Sequence, residues 1–243
     1  MKLRLDRLLV LRGLAPTREK AQAMILAGTV SVAGRRADKA GAPVDEDADV
    51  AVAGPAHPYV SRGGVKLAAA LDAFGLEPAG RVCLDVGAST GGFTDCLLQR
   101  GAARVYAVDV GRGQLDATLR ADRRVVLREK VNARALSEKD VPEPVELAVV
   151  DVSFISLRLV LPAVAARVRA GGTLVALVKP QFEAGRGEVP RGGVVRSEAT
   201  RARVVREVEE AGRGLGLDVL GVVPSPIAGA RGNAEFLLGF RVN

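Results

Sequence analysis

The chain has 243 residues, nearly half of them hydrophobic, with a net charge of +7 and an isoelectric point near 9.9. A single histidine, His57, and two cysteines without metal-ligand spacing, Cys83 and Cys96, argue against a metal centre or a Ser-His-Asp triad. No apolar run reaches the roughly 18 residues of a membrane span, and "MKLRLDRLLVLRGL" carries too many charges for a signal peptide. The positive balance favours a polyanionic partner, nucleic acid first. The cysteines read as core residues of a reducing compartment, so the expected location is the cytoplasm.

In chain order, Leu5, Leu8, Leu9 and Leu11 suggest a short amphipathic helix. Thr17 is the expected N-cap of a second helix running to Ala27, with Gly28 as its stop. Val30 and Val32 alternate as in a strand, Gly34 permits a turn, and "DVAV" from Asp49 closes a second strand. Residues 1–39 carry nine basic side chains against three acidic ones. Residues 1–52 thus read as a small α+β domain offering Arg4, Arg7, Arg18, Lys20, Arg35 and Arg36 to phosphates; a charged face without a partner is the alternative.

Residues 53–60, with Pro55 and Pro58, read as a linker. From residue 61 the pattern alternates helix and strand. Ser61 is placed to cap a helix burying Leu67, Leu71 and Phe74. Seven strand candidates follow: "RVCLDV", "RVYAVDV", "VVLRE", "VELAVVDV", "GTLVALVK", "LDVLGVV" and "AEFLLGF". Repeated strand-helix units imply a parallel α/β sheet covered on both faces, the last two strands forming an antiparallel hairpin at one edge.

"LDVGASTGGFTDCLL" passes from buried strand to helix through a loop holding Gly87, Ser89, Gly91, Gly92 and Phe93. The spacing is not the dinucleotide G-x-G-x-x-G, and Asp85 would repel a pyrophosphate. A carboxylate there suits the ammonium and sulfonium of S-adenosylmethionine. Asp109 ends the second strand, where it can accept from ribose hydroxyls, and Asn132 follows the third, near the expected adenine position. NAD or another nucleotide is the alternative.

Four charged residues stand out. Lys66 lies on the helix before the first strand, Asp151 and Lys179 end the fourth and fifth, and Glu235 opens the last. Charges within apolar runs are costly unless paired, so their convergence is expected. A purely stabilising ion-pair network is the alternative reading.

Two resemblances sharpen this. "RLDRLLVLRGLAPTREKAQAMILAGTVSVAGR" resembles the small RNA-binding domain named after ribosomal protein S-four, and the Lys-Asp-Lys-Glu set resembles that of FtsJ-like ribose methyltransferases. Through "YVSRGGVKL", "LDVGASTGGFTDCLL", "VVDVSFISL", "LVKPQFE" and "NAEFLLGF", the whole chain is similar to the TlyA (hemolysin A) family. One departure is "AHPYVSRGG", which lacks the Arg-x-Trp-Val of its best-known members. The resemblance implies a Rossmann-like class I methyltransferase over 61–243, a mostly parallel seven-stranded sheet with an antiparallel last strand. It implies S-adenosylmethionine as cofactor, no metal, and 2'-O-methylation of cytidine in ribosomal RNA. The chain's length is that of the family's shorter form, which implies the large subunit.

Lys179 is then the expected general base, oriented by Asp151 and Lys66, with Glu235 holding the nucleophile or the lysine network. Aromatic residues are scarce, so stacking on rings is expected to be minor. Arg62 and the glycine-rich "AGRGEVPRGG", with Arg186 and Arg191, are expected at the RNA entrance, the latter as a lid. The expected partner is ribosomal RNA or a subunit, no membrane is expected, and a monomer is favoured. A non-catalytic assembly factor, a pore-forming hemolysin and a nicotinamide oxidoreductase are the competing readings.

Overall fold

The computed structural model describes residues 2–26, 28–52, 57–185 and 187–243. It divides into two compact units, Met1–Pro58 and Tyr59–Asn243. The division falls inside the stretch read as a linker, of which residues 53–56 lie outside the described residues.

The first unit runs β1 (Lys2–Arg4), α1 (Leu5–Leu11), α2 (Arg18–Leu26), β2 (Val30–Val32), β3 (Arg35–Arg36), β4 (Pro43–Asp45) and β5 (Val50–Val52). Leu5, Leu8 and Leu9 share one face of α1 and are fully buried. Leu11 was expected with them but is 66% exposed; it lies roughly 200° round the helix from Leu9 at 3.6 residues per turn. Thr17 does cap α2, its hydroxyl accepting from the Lys20 amide at 3.2 Å, and α2 is described to Leu26, the expected last residue Ala27 lying outside the described residues. Strand β2 pairs antiparallel with β3 across the Ala33–Gly34 turn and with β5 on its other side. The β1–β4 ladder was not visible in the sequence, because three-residue strands show no alternation.

One charge organises this unit. Asp6 is completely buried and accepts from Arg4 at 3.1 Å, Arg18 at 3.2 Å and Gln22 at 2.9 Å. The Arg4 guanidinium and these neighbours hold its carboxyl far below the usual carboxylate range. A buried carboxylate with four donor contacts stitches α1 to α2.

The second unit runs α3 (Gly63–Phe74), β6 (Val82–Val86), α4 (Gly92–Gln99), β7 (Arg104–Asp109), α5 (Ala117–Ala121), β8 (Val125–Glu129), β9 (Val145–Val150), α6 (Leu161–Ala165), β10 (Val168–Val178), α7 (Pro180–Glu183), α8 (Glu198–Gly214), β11 (Leu217–Pro224) and β12 (Phe236–Val242). Its seven strands lie in the order β11-β12-β10-β9-β6-β7-β8. Only β12 is reversed, antiparallel to both neighbours. The expected antiparallel edge hairpin is present, with β11 at the edge and β12 between it and β10. Strand β10 also starts earlier than Gly172, at Val168, with a register shift against β9 before Thr173.

Strand parity builds the core. Leu84, Val86, Val108, Val150 and Ala176 face a layer holding Leu161, Val164, Val205 and Val208. Cys83, Val105, Val149 and Leu177 face the opposite layer with Leu67, Leu71 and Leu97. Both cysteines are free and buried, and burial pushes Cys83 up to about 12 and Cys96 up to about 11, so both thiols stay protonated. Ser61 does not cap α3 through its side chain, contrary to expectation; the Ser61 carbonyl accepts from the Gly64 amide instead.

Candidate active site

After β6 the chain builds β7 and β8 on one side, then returns to place β9 and β10 on the other. Ligands of open α/β sheets bind where strand order reverses in this way, beyond the strands' carboxyl ends. A cleft of about 280 Å³ lies there, near the lower limit of about 300 Å³ for small-molecule sites. Arg62, Lys66, Gly87, Ser89, Gly92, Phe93, Asp151 and Lys179 all line it.

Register explains how distant residues meet. Val86 pairs with Val150, so the next residues on each strand, Gly87 and Asp151, lie side by side. Val178 pairs with Phe236, so Lys179 and Glu235 face each other one step on. Gly87 has φ +88°, and a Cβ there would overlap the Asp151 carbonyl. A Cβ at Gly92 would overlap Ser61 Oγ, so α3 and α4 approach through bare backbone.

The four charges form two pairs. Lys66 Nζ lies 2.5 Å from Glu235 Oε2. Lys179 Nζ lies 2.5 Å from Asp151 Oδ1 and donates to Ser153 Oγ at 2.9 Å. The Asp151 contact is an ion pair, and the hydrogen bond of the ammonium is the one to Ser153. Glu235 is 3% exposed and Lys179 9%. Removing one partner of such a pair strands a charge and typically costs about 3–5 kcal/mol.

A family profile described as FtsJ-like methyltransferase matches residues 59–242, and one described as S4 domain matches residues 3–50. The chain is 48% identical over 239 residues to the 16S/23S rRNA (cytidine-2'-O)-methyltransferase TlyA of Mycobacterium tuberculosis, covering 98% of this chain and 89% of that one. This chain belongs to the TlyA family of FtsJ-like methyltransferases. It is also 39% identical over 239 residues to the hemolysin A of Brachyspira hyodysenteriae, covering 98% and 99% of the two chains. The solved structure of a hemolysin-named chain from Streptococcus thermophilus matches it with a TM-score of 0.79 at 44% identity, covering 100% of this chain and 89% of that one.

The expected S-adenosylmethionine fits the donor set of this TlyA-family cleft. Both lysines are paired to carboxylates, which leaves no lysine charge to draw a pyrophosphate. Asp85, an extra carboxyl, lies fully buried under the loop rather than in the cleft. It accepts from Thr94 at 2.7 Å, while its Oδ1 has no hydrogen-bond partner among the described residues. Burial, reinforced by the charge of Asp151, raises its pKa to about 7 against the opposing Thr94 bond. Asp109 holds two loops, accepting from the Ser89 amide at 2.8 Å and the Gly111 amide at 2.6 Å. Gly91 backs onto Leu115 and Leu119, and Asn132 accepts from the Arg134 amide at 3.0 Å. None of Asp85, Gly91, Asp109 and Asn132 lines the cleft.

The RNA candidates divide likewise. Arg7, Lys20 and Arg35 are exposed, and Arg36 is 3.4 Å from Asp38. Arg4 and Arg18 are half-exposed but bound to Asp6. Arg191 is exposed, whereas Arg186 lies outside the described residues. The loop expected to be a lid is tied down in its described part. Glu188 pairs with Arg203 at 2.6 Å, and buried Asn233 donates to the Gly193 carbonyl and accepts from the Val195 amide.

Sequence reasoning missed Ser61, Ser153, Phe154 and Glu183. Phe154 is 90% exposed, has φ +64°, and packs on Phe182 with ring centroids 4.9 Å apart and the rings tilted by 50°. The scarcity of aromatic residues overall concealed an exposed one three residues after Asp151. The polar Ser153 immediately beyond a buried strand was the signal available.

Proposed function

We propose that this protein methylates the ribose 2'-hydroxyl of a cytidine in ribosomal RNA. The observation that carries the reading is the pair of ammonium–carboxylate contacts, Lys66–Glu235 and Lys179–Asp151, assembled where the sheet order reverses. The relatives' names supply the substrate: 16S/23S rRNA for the Mycobacterium tuberculosis protein and 23S rRNA for the Campylobacter jejuni TlyA, which is 35% identical over 179 residues. Large-subunit RNA is common to both names and is the target we infer. Such an enzyme works where ribosomes are assembled, so we place it in the cytoplasm.

When bound, S-adenosylmethionine supplies an electrophilic methyl group on a cationic sulfur. Lys179 Nζ takes the proton of the attacking hydroxyl. In the pair described, it must first lose a proton of its own. Asp151 and Ser153 hold the amine in place, and Glu235 keeps Lys66 at the rim. Most of the acceleration then comes from positioning two reactants. Phe154 offers its exposed face to the target base, and a stack of that kind is worth about 1–3 kcal/mol.

The test is transfer of labelled methyl to ribosomal subunits from cells lacking the enzyme, followed by nucleoside digestion. Label in 2'-O-methylcytidine of the large-subunit RNA is the expected result. Label in a base, or none despite bound cofactor, overturns the reading.

A further inference from the structure

Glu183 is a buried carboxylate that the mechanism above leaves without a task. It ends α7, four residues after Lys179, and its side chain is 2% exposed. Its Oε2 accepts from Ser156 Oγ at 2.6 Å, and its Oε1 accepts from the Leu157 amide at 2.8 Å. The Arg158 guanidinium approaches to 4.0 Å and also lies 3.5 Å from Glu207. Burial raises the acid's pKa, against the two hydrogen bonds. Glu183 does not line the cleft.

Both its partners belong to the irregular stretch from Asp151 to Leu157, and Glu183 belongs to the turn that follows β10. These two segments carry Asp151, Ser153 and Phe154 on one side and Lys179 and Phe182 on the other. Among the described residues the two segments also meet through Lys179 with Asp151 and Ser153, at the cleft, and through the tilted Phe154–Phe182 pair. The Glu183 bonds join them away from the cleft lining, at a buried carboxylate. Phe154 also needs holding, because a non-glycine residue at φ +64° persists only when its surroundings impose it.

We propose that Glu183 is a positioning residue for methyl transfer, clamping the 151–157 segment to the strand end that carries Lys179. It acts through Asp151, Ser153 and Phe154 and does not touch the reacting atoms. The proposal rests on the methyltransferase reading for its kinetic consequence, but the clamp is measurable without it.

The test compares the full chain with its Glu183→Ala, Glu183→Gln and Ser156→Ala variants. Glutamine keeps an acceptor for the Leu157 amide and a polar group for Ser156. With Glu183→Ala, kcat on ribosomal RNA should fall about 100-fold, the size expected of roughly 1 Å of misplacement. S-adenosylmethionine affinity by calorimetry should stay within about threefold, because the glycine loop is built on other residues. Glu183→Gln should recover kcat to within about fivefold of the parent, and hydrogen exchange at the Leu157 amide should quicken in the alanine variant alone. An unchanged kcat in folded Glu183→Ala overturns the proposal, as does a glutamine variant as impaired as alanine. If Glu183→Ala does not fold, Ser156→Ala decides: a kcat loss of about tenfold supports the clamp, and none removes it. Should the parent protein transfer no methyl group at all, the functional reading fails by itself. The Leu157 exchange rate then decides the clamp alone, quickened for and unchanged against.

Discussion

Lys179 Nζ sits between a carboxylate and a hydroxyl, and it is the atom proposed to take the proton of the nucleophile. Lys179→Ala should lower the single-turnover methylation rate by about 10²–10⁴, the usual contribution of a general base, while cofactor affinity persists. Glu235→Gln preserves shape but leaves Lys66 without its counter-charge; it should cost activity and about 3 kcal/mol of stability in chemical denaturation. Retained methylation in both variants would reduce the cluster to an ion-pair network. Asp85 gives a pH test. Its carboxyl has a pKa near 7 in the folded chain and about 3.9 when unfolded, so the folded form binds the extra proton between those values. That stability is complete below about pH 4 and is lost as pH rises through 7, by at most about 4 kcal/mol. Wild-type melting temperature should therefore drop more steeply from pH 5 to 8 than that of Asp85→Asn. Parallel curves would show that this group does not titrate in the fold.

Between elements, the contact of α3 with α4 is the most exacting. Gly92 opens α4 against Ser61 and the Gly63–Gly64 backbone with no room for a methyl group. Gly92→Ala should destabilise by about 1–3 kcal/mol, as overpacking does. It should also weaken cofactor binding measured by calorimetry, since Ser61, Gly92 and Phe93 line the same cleft. A variant with unchanged melting and affinity would mean the helices separate freely. At this scale the sequence was informative where periods are long. All seven strands of the large sheet and the longer helices around them follow from apolar alternation and from glycine positions. Four-residue α7 and five-residue α6 have too few positions to show a period, and Glu183 stayed hidden with α7. The β11–β12 pairing was legible from their short connection, but the place of β12 against β10 was not, because alternation reports a buried face and not a neighbour. The four charged residues were legible as anomalies within apolar runs, but their division into two pairs came only from register.

Over the whole molecule, net charge overstates the cations free to meet RNA. Of the basic residues before position 40, Arg4 and Arg18 bind Asp6, while Arg12 donates to the Ala48 carbonyl at 2.7 Å and to the Glu46 carbonyl. Each phosphate contact contributes about −0.7 to −0.9 to the slope of log K against log salt. RNA affinity should therefore fall with salt, and Lys20→Ala or Arg35→Ala should reduce the slope by nearly one unit each. Arg12→Ala should leave the slope alone and lower the melting temperature. Equal effects from all three would mean that internal and free arginines had been confused.

The reversed strand β12 imposes an order of birth on this catalyst. A growing chain that has reached Pro224 already owns six strands of the large sheet, the glycine loop and both lysines, yet β10 and β11 have nothing between them. Glu235 arrives only with the wedge that closes this gap. Until then Lys66 lacks Glu235 as its counter-charge, and no methyl transfer is expected of the half-made chain. A chain stopped at Pro224 should accordingly be cut by protease within β10 and β11 and show no transfer, whereas adding residues 225–243 as a separate peptide should restore protection.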